Sequence, residues 1–419
     1  MKKISIIIIV SISLIVLVFL GFYLISRESG TPVRETVRDI LPFGSGGNGR
    51  IPGGLRDGDG MFLDSEGLPQ DEFANPAASL FRISDTPVAG ATVFSRGSQT
   101  IVRYADRATG HIYDRNLGTF EETKVTNNTL PKIYEAYFRP DGNAVLFRSL
   151  RNNSDVVENL ALSLTPPQAT SVSTSSLEAS GALYSVSATP LRGDITAVTV
   201  GPGNVLVYAL GDASTIVSSA FNGSGTRTLL TSPFTDWRLA GTGSVLVLHT
   251  KPSSVASGFA YTLGLSSGTL TKILGPLNGL VAIPNTLGTR VLYSYVENNQ
   301  TKLFAKNLSN NALAEILPTT LADKCVWETG NTGILFCGAP IESPGAGEPD
   351  HWYRGETHFS DRLWLFDTNL NTAEVLSEPR QSLRIDIDVF EPKLSPNGDY
   401  LVFMNKTDLS LWALRLEGL

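Results

Sequence analysis

Charged residues make up only 17% of this chain, well short of the quarter or so usual in globular proteins. Glycine, serine, threonine and asparagine take their place, so long amphipathic helices with charged outer faces are scarce and short strands joined by tight turns are favoured. Two cysteines, three methionines and four histidines in 419 residues exclude a disulfide-dense scaffold and a soft-metal site. The formal net charge is −7 and no basic block lies beyond the N-terminus, which excludes the electrostatic footprint of a nucleic-acid binder. Nucleophile-elbow, phosphate-loop and dinucleotide fingerprints are all missing from the sequence, and each belongs to a strand-to-helix turn that this composition does not provide. No catalytic residue, cofactor or metal is therefore assigned.

What the chain does contain is a repeated turn. Its best copy is LSPNGDYLVF, Leu394 to Phe403, in which a glycine turn leads into an apolar strand. Related stretches begin at Ser95, Phe138, Gly201, Gly241, Asn285 and Asn331, with turn glycines at Gly97, Gly142, Gly203, Gly243, Gly288, Gly333 and Gly398. The successive gaps are 45, 61, 40, 45, 45 and 65 residues. Four of them match the period of a four-stranded propeller blade, about 40–45 residues. The stretch from Asn278 to Pro318 shows a whole unit, four alternating segments separated by Gly288, Asn298–Asn299 and Asn310–Asn311. Alternation with glycine and asparagine corners is the hairpin pattern, and one such sheet cannot bury both faces unless neighbours stack on it.

SPNG followed by DYLVF, and RPDG followed by NAVLF, resemble the WD40-like beta-propeller repeat of the TolB type. That resemblance implies an all-β, seven-bladed β-propeller over residues 78–419 acting as a binding scaffold, and it carries over no catalytic residue, because the motif residues build turns. The last unit has only two strands after its turn, Tyr400–Phe403 and Leu409–Leu416, while Leu80–Ser84 is an apolar strand ahead of the first unit. Pairing the two ends closes the ring and leaves no open edge.

Residues 1–3 and 4–26 carry a different message. Lys2 and Lys3 precede 23 uncharged, mostly aliphatic residues, Ile4 to Ser26. As a helix these span roughly 34 Å, enough for a bilayer core of about 30 Å. A cleaved secretory signal has a shorter apolar core and ends in small residues, so an uncleaved signal-anchor is the better fit. The basic excess lies before the span, which predicts a cytoplasmic tail and an exported propeller, periplasmic or extracellular. Residues 27–77, with GSGGNGRIPGGLRDGDG at Gly44–Gly60, lack either periodicity and read as a flexible tether.

The 65-residue gap before Gly398 holds an insertion, Ile341 to Asp361. It gathers His351, Trp352, Tyr353, Arg354, Glu356 and His358, the candidate binding residues, with Asp350 and Phe359 beside them. Two readings compete: an exposed aromatic and arginine cluster that anchors a partner, or aromatic rings folded back to plug the mouth of the propeller channel. The histidine spacing matches no standard metal-ligand pattern. Cys325 and Cys337 flank the Gly333 turn and fall opposite each other if the hairpin is symmetric about Asn331, close enough to form a disulfide in an exported domain, with two buried thiols as the alternative. Asp386 and Asp388 are expected on one face of a strand, lining the axial channel or capping turns.

Together these features predict a single-pass membrane protein whose propeller binds a protein or polysaccharide at the cell surface. The alternative is a carbohydrate-active propeller enzyme, a lyase or glycosidase, with its site on one propeller face.

Overall fold

In the computed structural model, which describes residues 78–416 except 152–155, 168–182, 213, 235, 243–244 and 331, six of the seven turn glycines are left-handed. Their φ values are 60°, 73°, 71°, 66°, 83° and 77° at Gly97, Gly142, Gly203, Gly288, Gly333 and Gly398. At Gly142 the requirement is twofold, because a Cβ there would also fall 2.8 Å from the Phe94 ring. Gly243, the proposed anchor residues 4–26 and the tether 27–77 lie outside the described residues.

Each turn joins two antiparallel strands, and the strands collect into six sheets among the described residues. The first contains Val88–Arg96, Gln99–Asp106, Ile112–Asn116 and Glu122–Lys124 in sequence order. The second runs from Ile133–Phe138 to Ser185–Pro190, and the third from Ile195–Gly201 to Arg227–Thr231. A seven-stranded sheet from Trp237–Thr242 to Leu313–Glu315 follows, with the 15-residue strand Leu270–Pro284 at its middle. Next come Cys325–Trp327, Ile334–Pro340, Asp361–Asp367 and Thr372–Ser377.

The last sheet joins the two ends of the fold. Val389–Leu394, Tyr400–Asn405 and Leu411–Arg415 supply three strands, and Leu80–Ser84 supplies the fourth. Leu80 pairs with Leu414 and Arg82 with Trp412. This pairing satisfies backbone groups that an open sheet edge would leave unpaired.

Apolar side chains fill the spaces between sheets rather than one central core. Phe81, Val102, Tyr104, Tyr400 and Met404 pack the last sheet on the first. Ala105, Phe138, Phe147 and Leu162 pack the first on the second. The opening strands of neighbouring sheets also touch, Val88–Arg96 against Ile133–Phe138 and Ile195–Gly201 against Trp237–Thr242. The fold is an all-β propeller, in which each sheet covers the apolar faces of its neighbours.

Candidate functional site

The break in periodicity after Ile334–Pro340 produces a dense polar structure. Pro340 pairs with Asp361, so the insertion is a loop spliced between two paired strands and its ends are fixed by their ladder. Within it Asp350–Arg354 forms a short helix, closed by Gly355 in the left-handed conformation, whose N–H reaches the carbonyls of His351 and Trp352. The Asp350 carboxylate accepts from the Ser254 N–H, tying the loop to the seven-stranded sheet.

Trp352 points inward and is fully buried. Its indole Nε1–H is 3.0 Å from both carboxylate oxygens of Asp388, and its backbone N–H donates to Glu348 Oε2 at 2.9 Å. The ammonium groups of Lys324 and Lys406 each lie 5.1 Å from its ring, a geometry that favours a cation over the aromatic face. Lys324 also binds Asp388 directly and Asp361 at 2.8 Å. All three charged side chains are completely buried. The Phe359 and Val389 N–H groups donate to Asp388 Oδ2 at 3.2 Å and Asp361 Oδ2 at 2.7 Å. Burial pushes the Asp361 carboxyl up to about 6, since a charged carboxylate is poorly solvated there despite the lysine.

Tyr353, beside Trp352, is half-buried. Its hydroxyl donates to Asp323, and the Arg238 guanidinium sits 5.0 Å from its ring. Desolvation raises both the phenol and the Asp323 carboxyl. The structure therefore corrects the picture of Trp352 and Tyr353 as exposed partner anchors. Their rings fold back, because an indole and a phenol carry a donor that an inward-facing carboxylate can satisfy.

The outer wall of the insertion is built differently. His351, Thr357, His358 and Ser360 line a cavity of about 780 Å³ together with Arg380 and Asp386. The His351 ring packs against Gly347, where a Cβ would fall 2.0 Å from its Cε1. Ser360 Oγ donates to Asp386 at 2.6 Å, and Arg380 Nε is 3.6 Å from the same carboxylate. Arg354 and Glu356 form a solvent-facing pair at 2.6 Å, and the Glu356 carboxylate also comes within 3.9 Å of His351 Nε2. His351 and His358 thus share one cavity, whereas Arg354 and Glu356 do not line it.

Asp386 and Asp388 are not on one strand face. The strand begins only at Val389, and the two carboxylates diverge, one to the cavity and one to the buried cluster. Arg380, Ser360 and Lys324 were not singled out from the sequence, because nothing in their local pattern marks them. Cys325 and Cys337 are bonded, directly opposite in register with Cα atoms 4.1 Å apart. Among the described residues no group of three or more His, Cys, Asp or Glu side chains is arranged to hold a metal ion.

The sequence matches no known protein family and no curated protein. Solved structures do resemble the fold. An oligogalacturonate lyase in complex with manganese superposes with a TM-score of 0.51 at 10% identity, covering 81% of this chain and 93% of its own. The beta-propeller domain of the Trilobed protease from Pyrococcus furiosus gives 0.49 at 12%, covering 80% and 97%. TolB from Acinetobacter baumannii gives 0.39 at 9%, covering 74% and 61%. At these identities the likeness is one of fold.

Proposed function

We propose that this chain is a single-pass, membrane-anchored propeller of seven blades that binds another macromolecule outside the membrane through the cavity of its insertion. The blade count follows if the seven-stranded sheet is two blades sharing Leu270–Pro284. The observation that carries the binding reading is the division of labour within the insertion. Its inner wall is fixed by buried charge, while its outer wall presents two imidazoles and the Arg380–Asp386 pair on an open cavity. A recognition surface needs such pre-organised polar groups on a rigid support. The anchor rests on the apolar run 4–26 and the lysines before it. Among the described residues no helix is long and apolar enough to cross a membrane.

Crosslinking at the surface of intact cells tests the reading. The native chain should capture a partner that a His351→Ala/His358→Ala/Arg380→Ala variant loses, and unchanged capture by the variant would sink it. Because Trp352 and Tyr353 are structural, substituting them would test folding instead. A second reading, a carbohydrate-active enzyme, is favoured by one observation: His351 and Asp386 line the same cavity and pair an imidazole with a carboxylate, the usual materials of acid–base chemistry. Shortening of an acidic oligosaccharide by the wild type but not by His351→Ala would establish that reading over simple binding.

A further inference from the structure

Lys324, Asp361 and Asp388 reach their buried cluster from three segments. Lys324 ends the short turn Ala322–Lys324 ahead of Cys325–Trp327, Asp361 opens Asp361–Asp367, and Asp388 stands just before Val389–Leu394. The Lys324 Nζ is in direct contact with Asp388 Oδ1, lies 2.8 Å from Asp361 Oδ2 and donates to the Val389 carbonyl at 3.3 Å. The rings of Trp352 and Phe359, 5.1 and 4.9 Å from that nitrogen, shield it. A primary amine and a carboxyl group are thus held against each other, away from solvent.

The two carboxyl groups are not equivalent. Around Asp388 the amine meets Oδ1, the Phe359 N–H donates to Oδ2 at 3.2 Å, and the Trp352 Nε1–H lies 3.0 Å from both oxygens. The Asp388 N–H donates to Asn405 Oδ1 at 3.0 Å, which fixes the backbone beneath the carboxyl. Asp361 receives the Val389 N–H on Oδ2 at 2.7 Å, while its buried Oδ1 has no hydrogen-bond partner among the described residues. Asp388 is therefore surrounded by donors on the oxygen remote from the amine, and Asp361 keeps one oxygen open to a proton.

We infer that Lys324 and Asp388 condense into an intramolecular amide bond, with Asp361 as the proton carrier. Asp361 takes a proton from Nζ, and the freed lone pair attacks Asp388 Cγ. Charge that builds on Oδ2 is met by the Phe359 N–H and the Trp352 Nε1–H, donors already in place. The Nζ–Cγ bond forms and the Cγ–Oδ1 bond breaks. Oδ1 leaves as water with two of the three ammonium protons, one of them relayed by Asp361, and the third stays on the amide nitrogen. Ammonium and carboxylate thus become amide and water, with no oxidant, reductant or co-reactant, and Asp361 ends as it began. Contact between the reacting groups replaces a chance encounter, and a neutral amide escapes the desolvation cost of a buried ion pair. The Asp361 carboxyl, raised to about 6, is poised to take and return a proton near neutral pH. Phe359 also lines the cavity of the insertion, so the departing water borders open solvent there. The bond closes a covalent loop from residue 324 to residue 388 around the insertion and links two sheets that pack through Phe336, Leu363, Val389 and Leu401. The charges described above are those of the chain before the bond closes, and Asp361 remains a buried acid afterwards. This inference does not depend on the binding role given to the insertion.

Mass spectrometry of the purified full chain, denatured and with its disulfide reduced, tests it. The wild type should weigh one water less than its sequence, and a protease digest should contain one branched peptide that joins Lys324 to Asp388. Lys324→Arg and Asp388→Ala should both show the full sequence mass. Asp361→Asn, with its fold checked by circular dichroism, should lower the bonded fraction at least tenfold. A wild type at full sequence mass overturns the proposal, as does a water loss mapped elsewhere, such as cyclisation at Asp141–Gly142. A branch from Lys324 to Asp361, or undiminished bonding in Asp361→Asn, overturns the roles assigned to the two carboxyl groups. Should Asp361→Asn fail to fold, the wild-type mass and the branched peptide decide the matter alone.

Discussion

Asp114 and Asp388 are both buried carboxylates, and the molecule neutralises them in different ways. Asp114 meets the planar fork of Arg103, which serves both oxygens at once and is itself packed against two aromatic rings. Asp388 meets Lys324, a compact charge divided between two carboxylates. The division is incomplete: Asp361 Oδ1 is buried without a hydrogen-bond partner among the described residues. The remaining demand of Asp388 is met by Trp352 and Phe359, both from the insertion. A guanidinium fork saturates its carboxylate locally, whereas an ammonium leaves hydrogen-bonding capacity that other parts of the chain must fill. The arginine site therefore braces two sheets, and the lysine site couples a loop to the core.

Lys324→Met breaks that coupling most severely. It leaves Asp361 and Asp388 buried with no cation between them, and removal of one partner from a buried ion pair typically costs about 3–5 kcal/mol. Urea unfolding should show a loss of that order, and Arg103→Met a comparable one. The two variants should differ in limited proteolysis under native conditions. Only Lys324→Met should expose cleavage sites between residues 341 and 360, since only there do loop residues complete the charge cluster. Resistance of that segment in Lys324→Met would refute the coupling.

A milder test uses the proton. Asp361 has its carboxyl raised from 3.8 to about 6 in the folded protein. Between those values the folded state binds more protons than the unfolded one, so this group makes the unfolding free energy fall as pH rises. Moving from pH 5 to pH 7 should remove about 1 kcal/mol of its contribution. Asp361→Asn abolishes the effect, so the stability of the variant relative to wild type should rise over that interval. His249 works in the opposite direction. It is buried, and desolvation lowers its imidazole to about 4, so its contribution to stability is lost as pH falls from about 6.5 toward 4. The comparison must therefore be made between variant and wild type, where the histidine contribution cancels. A flat difference across pH would mean that Asp361 is ionised throughout.

Much of this architecture is legible in the sequence, and the reason is local. A glycine that must adopt positive φ, as at Gly142 and Gly398, leaves its mark within a few residues, and the apolar strand after it is equally local. The unfinished last unit and the apolar strand at Leu80–Ser84 are visible at the two ends and pair in the structure. Hairpin symmetry about Asn331 puts Cys325 opposite Cys337, where they are bonded. The insertion announces itself as an interruption of the period. Lys324, Asp361 and Asp388 do not, because they come from three separated segments and meet only once the sheets have stacked. The orientation of Trp352 was equally hidden, since an anchor ring and a plug ring have the same composition. The continuity of Leu270–Pro284 was hidden too, because Gly275, Pro276 and Gly279 within it are residue types that weaken or interrupt a strand.

The smallest effect belongs to the outer wall of the insertion. Arg354 and Glu356 form a two-point pair, at 2.6 and 3.0 Å, with both side chains more than half exposed. The pairing holds Glu356 below its usual carboxylate range, yet it spans only two residues and touches nothing buried. Exposed pairs of this kind gain little, because water screens the charges and two long side chains must be held still. Arg354→Ala should leave the urea midpoint where it is and should expose no cleavage site in the loop, although it stands two residues from Trp352. Should Arg354→Ala instead lower the midpoint as Lys324→Met does, the loop would be held from its solvent side. The contrast between an inner wall that fixes the insertion and an outer wall free to meet a ligand would then be lost.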